Sequence, residues 1–96
     1  MKKENLELSR AEIFRGRQHR LVFLEIENNA LMVSEIMRKV NSKIKDNQLR
    51  LRDVSRALKW LTEKDYAICL NPTNKQGVKG IVYKLSKKGI EVKNII

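Results

Sequence analysis

Two apolar stripes at helical spacing, close together in the chain, constrain the fold more than any other feature. Val33, Ile36, Met37, Val40 and Ile44 stand at i, i+3, i+4, i+7 and i+11, which is one face of an amphipathic helix. Leu51, Val54, Ala57, Leu58 and Leu61 repeat the pattern shortly afterwards. Two helices with one apolar face each must cover those faces against each other or against another layer. The spacing predicts helices over 32–45 and 48–64. Between them "KDNQ" (Lys45–Gln48) supplies turn chemistry, with Asp46 or Asn47 as acceptors for the free amides of the following helix.

Upstream, "SRAE" (Ser9–Glu12) has the form of a capping box. Ile13, Phe14, Leu21, Val22, Leu24 and Ile26 then recur at helical spacing, predicting a helix over 10–28. Gly16 weakens it locally by roughly 1 kcal/mol relative to Ala, and "ENNAL" ends it. Downstream, "YAICL" and "IVYKL" are rich in aromatic and branched residues and read as the strands of a hairpin over 66–85. Their connection, "NPTNKQGVKG", is long enough to project beyond the sheet. "SKKGIEVKNII" reads as a short last helix over 86–95, capped at Ser86. The expected class is therefore α+β: one domain, 1–96, with a three-helix core, a hairpin of two or three strands and a short C-terminal helix.

Charge is distributed unevenly along the 96 residues. Residues 1–37 carry six basic and six acidic side chains, so the whole net charge of +10 lies in residues 38–96, as fifteen bases against five acids. A basic half beside a neutral half suggests a surface that meets anions, although lysine-rich composition also arises in thermophiles. On the predicted helix 48–64, Arg52, Ser55, Arg56 and Lys59 fall on their own i, i+3, i+4, i+7 stripe, with Arg50 just ahead. A helix docked in a nucleic-acid groove needs this division into apolar and basic faces. A solvated helix shows the same stripe, and Arg56 is also spaced to stack on Trp60.

Other chemistries find little foothold. The lone Cys69 reads as a small strand hydrophobe, and the lone His19 has no partners at ligand spacing, so a packing or surface role is expected. Trp60 and Tyr83 read as packing residues. No Ser–His–Asp or Cys–His set, Gly-rich phosphate loop or carboxylate cluster is evident, so neither enzyme activity nor a cofactor or metal is expected. With no long apolar run and no apolar stretch behind the charged start, a cytoplasmic chain without membrane contact is expected.

Taken in order, "VSRALKWLTEK", "CLNP" and "KGIVYKLSKKGIEV" resemble the C-terminal two-thirds of small archaeal winged helix-turn-helix transcriptional regulators, within the MarR/ArsR-like winged-helix superfamily. "SEIMRKV" looks like the first helix of the helix-turn-helix and "FRGRQHRLVFLEI" like the helix before it. The resemblance implies sequence-specific binding of double-stranded DNA, with a recognition helix in the major groove and a wing on the backbone or minor groove. Carried over, it places Arg52, Ser55, Arg56 and Lys59 toward the groove and Arg50 just ahead of them. Ser34 falls near the backbone in the first turn of the second helix, and Lys75 and Lys79 fall on the wing. A homodimer is expected, joined through Phe14, Phe23 and Ile95–Ile96, with no small-molecule effector. A winged-helix protein-interaction module and a nonspecific architectural nucleic-acid binder are the alternatives. Three departures from the family stand out. The segment "NSKIKDNQLR" is longer and lacks glycine, and Ile44 suggests that the excess extends the second helix. Asp65 replaces the usual glycine after the recognition helix, and Ile81 replaces an arginine of the second wing strand.

Overall fold

The structure, a computed structural model, describes residues 3–72 and 80–96. Among them are five helices and a three-stranded antiparallel sheet, in the order α1 (Lys3–Phe14), α2 (Arg17–Glu25), β1 (Leu31–Met32), α3 (Val33–Ser42), α4 (Leu51–Glu63), β2 (Ala67–Cys69), β3 (Val82–Leu85) and α5 (Lys87–Asn94). The α+β class expected from the sequence is what the molecule has.

The first predicted helix is in fact two. The helical run breaks after Phe14, and Gly16 stands extended at the N-cap of α2, since glycine is a weak helix former. The helix α1 begins well before Ser9, which is buried in its middle and caps nothing. The i, i+3 spacing of Ser9 and Glu12 serves another purpose: both reach the hydroxyl of Tyr66, which donates to Glu12 Oε2 at 3.1 Å.

The second prediction was also too long. Helix α3 ends at Ser42, and 43–50 is a loop rather than a helical extension. Ile44 still packs against the core, because a loop residue can satisfy the same need for cover. Leu31–Met32, read partly as interruption and partly as helix, forms a short strand pairing Leu31 with Tyr83 and Met32 with Val82. On the other side of β3, Ala67, Ile68 and Cys69 of β2 pair with Leu85, Lys84 and Tyr83, giving the order β1-β3-β2.

Neither Asp46 nor Asn47 caps α4. Arg50 occupies the N-cap, and Asp53 reaches back from the third helical position to accept from the Arg50 amide at 2.9 Å. Asp65 takes the left-handed conformation (φ 68°) after α4, which short polar side chains tolerate better than others. Ser86 caps α5, its Oγ accepting from the Gly89 amide at 2.9 Å.

The core lies where α2, α3 and α4 meet the inner face of the sheet. Ile13, Phe23, Ile26, Ile36, Val40, Val54, Leu58, Leu61, Tyr66 and Tyr83 are its main members. Phe23 is fully buried and therefore belongs to this core rather than to a dimer surface. Complete burial of such side chains contributes roughly 1.5–3 kcal/mol each. Helix α5 closes against the sheet through a glycine: a Cβ on Gly89 would come to 2.1 Å from the Tyr66 carbonyl oxygen.

Candidate nucleic-acid interface

Helix α4 has two opposed faces because its sequence segregates them. Val54, Ala57, Leu58 and Leu61 point into the core. At 100° per residue, Arg52, Arg56, Lys59 and Glu63 fall within about 60° of one another on the far side, and all four are exposed. Arg52, Arg56 and Lys59 line one open hollow of about 350 Å³ together with Leu51 and Ser55. Ser55 is placed on the outward stripe by the sequence spacing. It is only 6% exposed and forms part of the hollow's lining, since its angular position lies on the flank between the basic ridge and the core.

Arg50 and Ser34 do not line this hollow. Arg50 is exposed at the N-cap of α4. Ser34 is half-buried in the first turn of α3, on the flank it shares with Arg38 and Asn41. The Asn41 side chain bonds to the backbone of Leu49, so this flank turns toward the N-terminal end of α4. Arg38 is exposed one turn after Ser34 on the same flank. Lys75 and Lys79, the expected wing contacts, lie outside the described residues.

A second hollow, of about 260 Å³, lies between the C-terminal end of α4 and the strands. Lys59, Thr62 and Glu63 line one side, and Cys69, Pro72, Ile81 and Tyr83 the other. Lys59 borders both hollows, so the basic ridge ends beside the hollow at the base of the hairpin. Glu63 ends that ridge with a negative charge that the sequence reading overlooked. Burial, with the Cys69 thiol beside it, pushes the Tyr83 hydroxyl up to about 12, so it stays protonated at neutral pH.

Among the described residues, the cations of the ridge have no acidic partner. Ion pairs among the described residues join Lys39 to Glu27, Lys43 to Glu25 at 2.8 Å and Lys64 to Glu12 at 3.4 Å; none includes Arg50, Arg52, Arg56 or Lys59. Asp53, the nearest acid in sequence, is occupied with the Arg50 amide. Trp60 does not cover Arg56. Its ring is stacked on His19 at 4.0 Å between centroids and 7° between planes, and burial lowers the pKa of that histidine below its ordinary value. The stack ties α4 to α2 and leaves the arginine outward.

Among the described residues, no three of His, Cys, Asp and Glu converge as a metal site would require, and no helix is long and apolar enough to cross a membrane. Compared with known proteins, the chain matches no family model, no curated protein and no solved structure.

Proposed function

We propose that this chain is a winged-helix, sequence-specific binder of double-stranded DNA that regulates transcription as a homodimer. In this reading α3 and α4 are the helix-turn-helix, α4 is the recognition helix and the β2–β3 hairpin is the wing. The observation that carries it is the cationic ridge of Arg52, Arg56 and Lys59, in no ion pair among the described residues and facing away from the core on which α4 packs. The order of elements, with a short strand ahead of α3 and a hairpin after α4, supports the winged-helix reading.

The chemistry follows from the side chains. Arginine presents a planar fork that grips guanine O6 and N7 together, worth roughly 1–3 kcal/mol of discrimination per good pair. Arg52 and Arg56 stand one turn apart and fit that role. Lys59 and Arg50 neutralise phosphates, as Lys75 and Lys79 would from the wing. Such contacts set affinity and salt dependence rather than sequence. Ser55 serves a group that enters the hollow rather than one that passes over it. A single α4 spans few base pairs, and a two-fold dimer would place two of them about 34 Å apart along the duplex. Phe14 and Ile95–Ile96 remain the candidates for joining the copies.

Selection from a random pool of duplexes at near-physiological salt tests the reading. An enriched motif is expected, with Arg52→Ala and Arg56→Ala relaxing preference within it. Absence of any motif would overturn sequence-specific regulation. A second reading, a protein-interaction module, draws on the outer face of the sheet, where Met32, Ile68 and Leu70 are exposed. It predicts that the same variants leave DNA binding unchanged.

A further inference from the structure

The 43–50 loop has neither helix nor strand, yet its last part is held by a specific arrangement. The Asn41 carboxamide donates from Nδ2 to the Leu49 carbonyl at 2.9 Å, and its Oδ1 accepts from the Leu49 amide at 2.9 Å. One side chain thus satisfies both backbone groups of one residue, as a neighbouring strand would. Leu49 is itself buried, which anchors the same point from the core side. Two further bonds fasten the turn: Gln48 Nε2 donates to the Asn41 carbonyl at 3.1 Å, and the Arg17 guanidinium of α2 donates to the Asn47 carbonyl at 3.1 Å. Asn47 takes a left-handed conformation, φ 54°, that lets the chain reverse.

Arg50 is the next residue, and its amide is held by Asp53 of the first turn of α4. A continuous series of directional bonds therefore runs from the last turn of α3, through Asn41, Leu49 and Arg50, to the start of the basic ridge. We propose that Asn41 is a positioning residue for this interface: its paired bonds to the Leu49 backbone set where Arg50 and the first turn of α4 meet DNA. The inference rests on the DNA-binding reading above, and it assigns to the long α3–α4 connection a role in recognition geometry.

The chemistry of the pair supplies the test. An amide offers one donor and one acceptor side by side, and a protonated carboxylic acid of the same shape offers the same two. An ionised carboxylate offers acceptors only and would face the Leu49 carbonyl oxygen. Asn41→Asp should therefore fail when ionised and recover when protonated, at a pKa raised by that carbonyl. The probes are the duplex that emerges from selection on the wild type and a scrambled duplex of equal length. The titratable and charged groups around it (Arg38 of α3, Arg17 and His19 of α2, Lys43, Lys45 and Asp46 of the loop, Arg50 and Asp53 at α4) are common to variant and wild type, so the ratio of variant to wild-type binding at each pH isolates residue 41.

Asn41→Ala should weaken binding to the selected duplex about tenfold, the scale of two lost hydrogen bonds, while binding to the scrambled duplex changes little. Asn41→Asp should show the same loss at pH 8 and approach wild type near pH 5. Wild-type-like binding by both variants at every pH would overturn the proposal, as would an equal loss on both duplexes that follows a fall in thermal stability. Arg52→Ala and Arg56→Ala, measured alongside, separate the two levels. If they also bind the selected duplex like wild type, the DNA-binding reading itself fails; if they relax its preference while Asn41 variants do nothing, only the role of Asn41 falls.

Discussion

If α4 reads DNA as proposed, recognition turns on Arg52 and Arg56, because a planar guanidinium fork matches the paired acceptors of a base edge more rigidly than an ammonium does. Each alanine substitution should cost roughly 1–3 kcal/mol on the preferred duplex and much less on a scrambled one, as read by competition binding. Glu63 makes the opposite prediction. It closes the ridge with a charge that phosphates repel, so Glu63→Gln should tighten binding, an effect that added salt diminishes. Unchanged affinity at low salt would place the duplex away from the C-terminal end of α4. His19 gives a third test. Burial against Trp60 lowers its pKa in the folded state, so the unfolded chain binds the proton more readily. Stability is therefore full above the unfolded value of about 6.5 and declines as pH falls through that value toward the folded one. His19→Phe, which keeps a ring on Trp60, should remove this part of the acid sensitivity in thermal melts taken between pH 8 and pH 5.

At the scale of elements, the packing of α5 has a clear weak point. Gly89 allows the helix to approach the Tyr66 carbonyl more closely than any Cβ permits. Gly89→Ala forces backbone apart and should destabilise by roughly 1–3 kcal/mol, measured by denaturant unfolding, despite alanine's better helix propensity. Helices α3 and α4 were legible in the sequence because each carries an unbroken apolar stripe over several turns. What misled was local. Ser9 and Glu12 have cap spacing but reach Tyr66 from mid-helix, and spacing alone cannot say what lies opposite. Ile44 continued the stripe of α3 into a loop because the core accepts a side chain from either kind of backbone. Strand β1 has two residues, too few to show a period. Of the candidate site, the outward ridge could be read from helical angles. The burial of Ser55 could not, since it sits at the angle where ridge becomes flank. Nor could the carboxamide clamp of Asn41, which joins residues whose proximity only the folded chain reveals.

The whole molecule presents different surfaces on different sides. The cations of α4 border hollows that reach the base of the hairpin, whereas Lys39 and Lys43 are paired with Glu27 and Glu25 near α2. Among the described residues, Arg50, Arg52, Arg56 and Lys59 are in no ion pair, so the charge of α4 meets solvent without an acid to offset it. If that face binds DNA, the logarithm of affinity should fall linearly with the logarithm of salt, losing about 0.9 in slope for each phosphate contact removed. Lys59→Ala should flatten the slope by about one such step, and so should Lys75→Ala and Lys79→Ala if the wing also lies on phosphate.

A last consequence comes from the base of the hairpin. Asn71 accepts from the Val82 amide at 2.7 Å and donates to the Gly80 carbonyl at 3.2 Å. That clasp, together with the Leu70 amide bonded to the Val82 carbonyl, locks the register of the two strands before the chain departs from the sheet. A single carboxamide therefore closes this end of the ladder as a further pair of backbone groups would, and the alignment of β2 with β3 is held from both sides of Asn71.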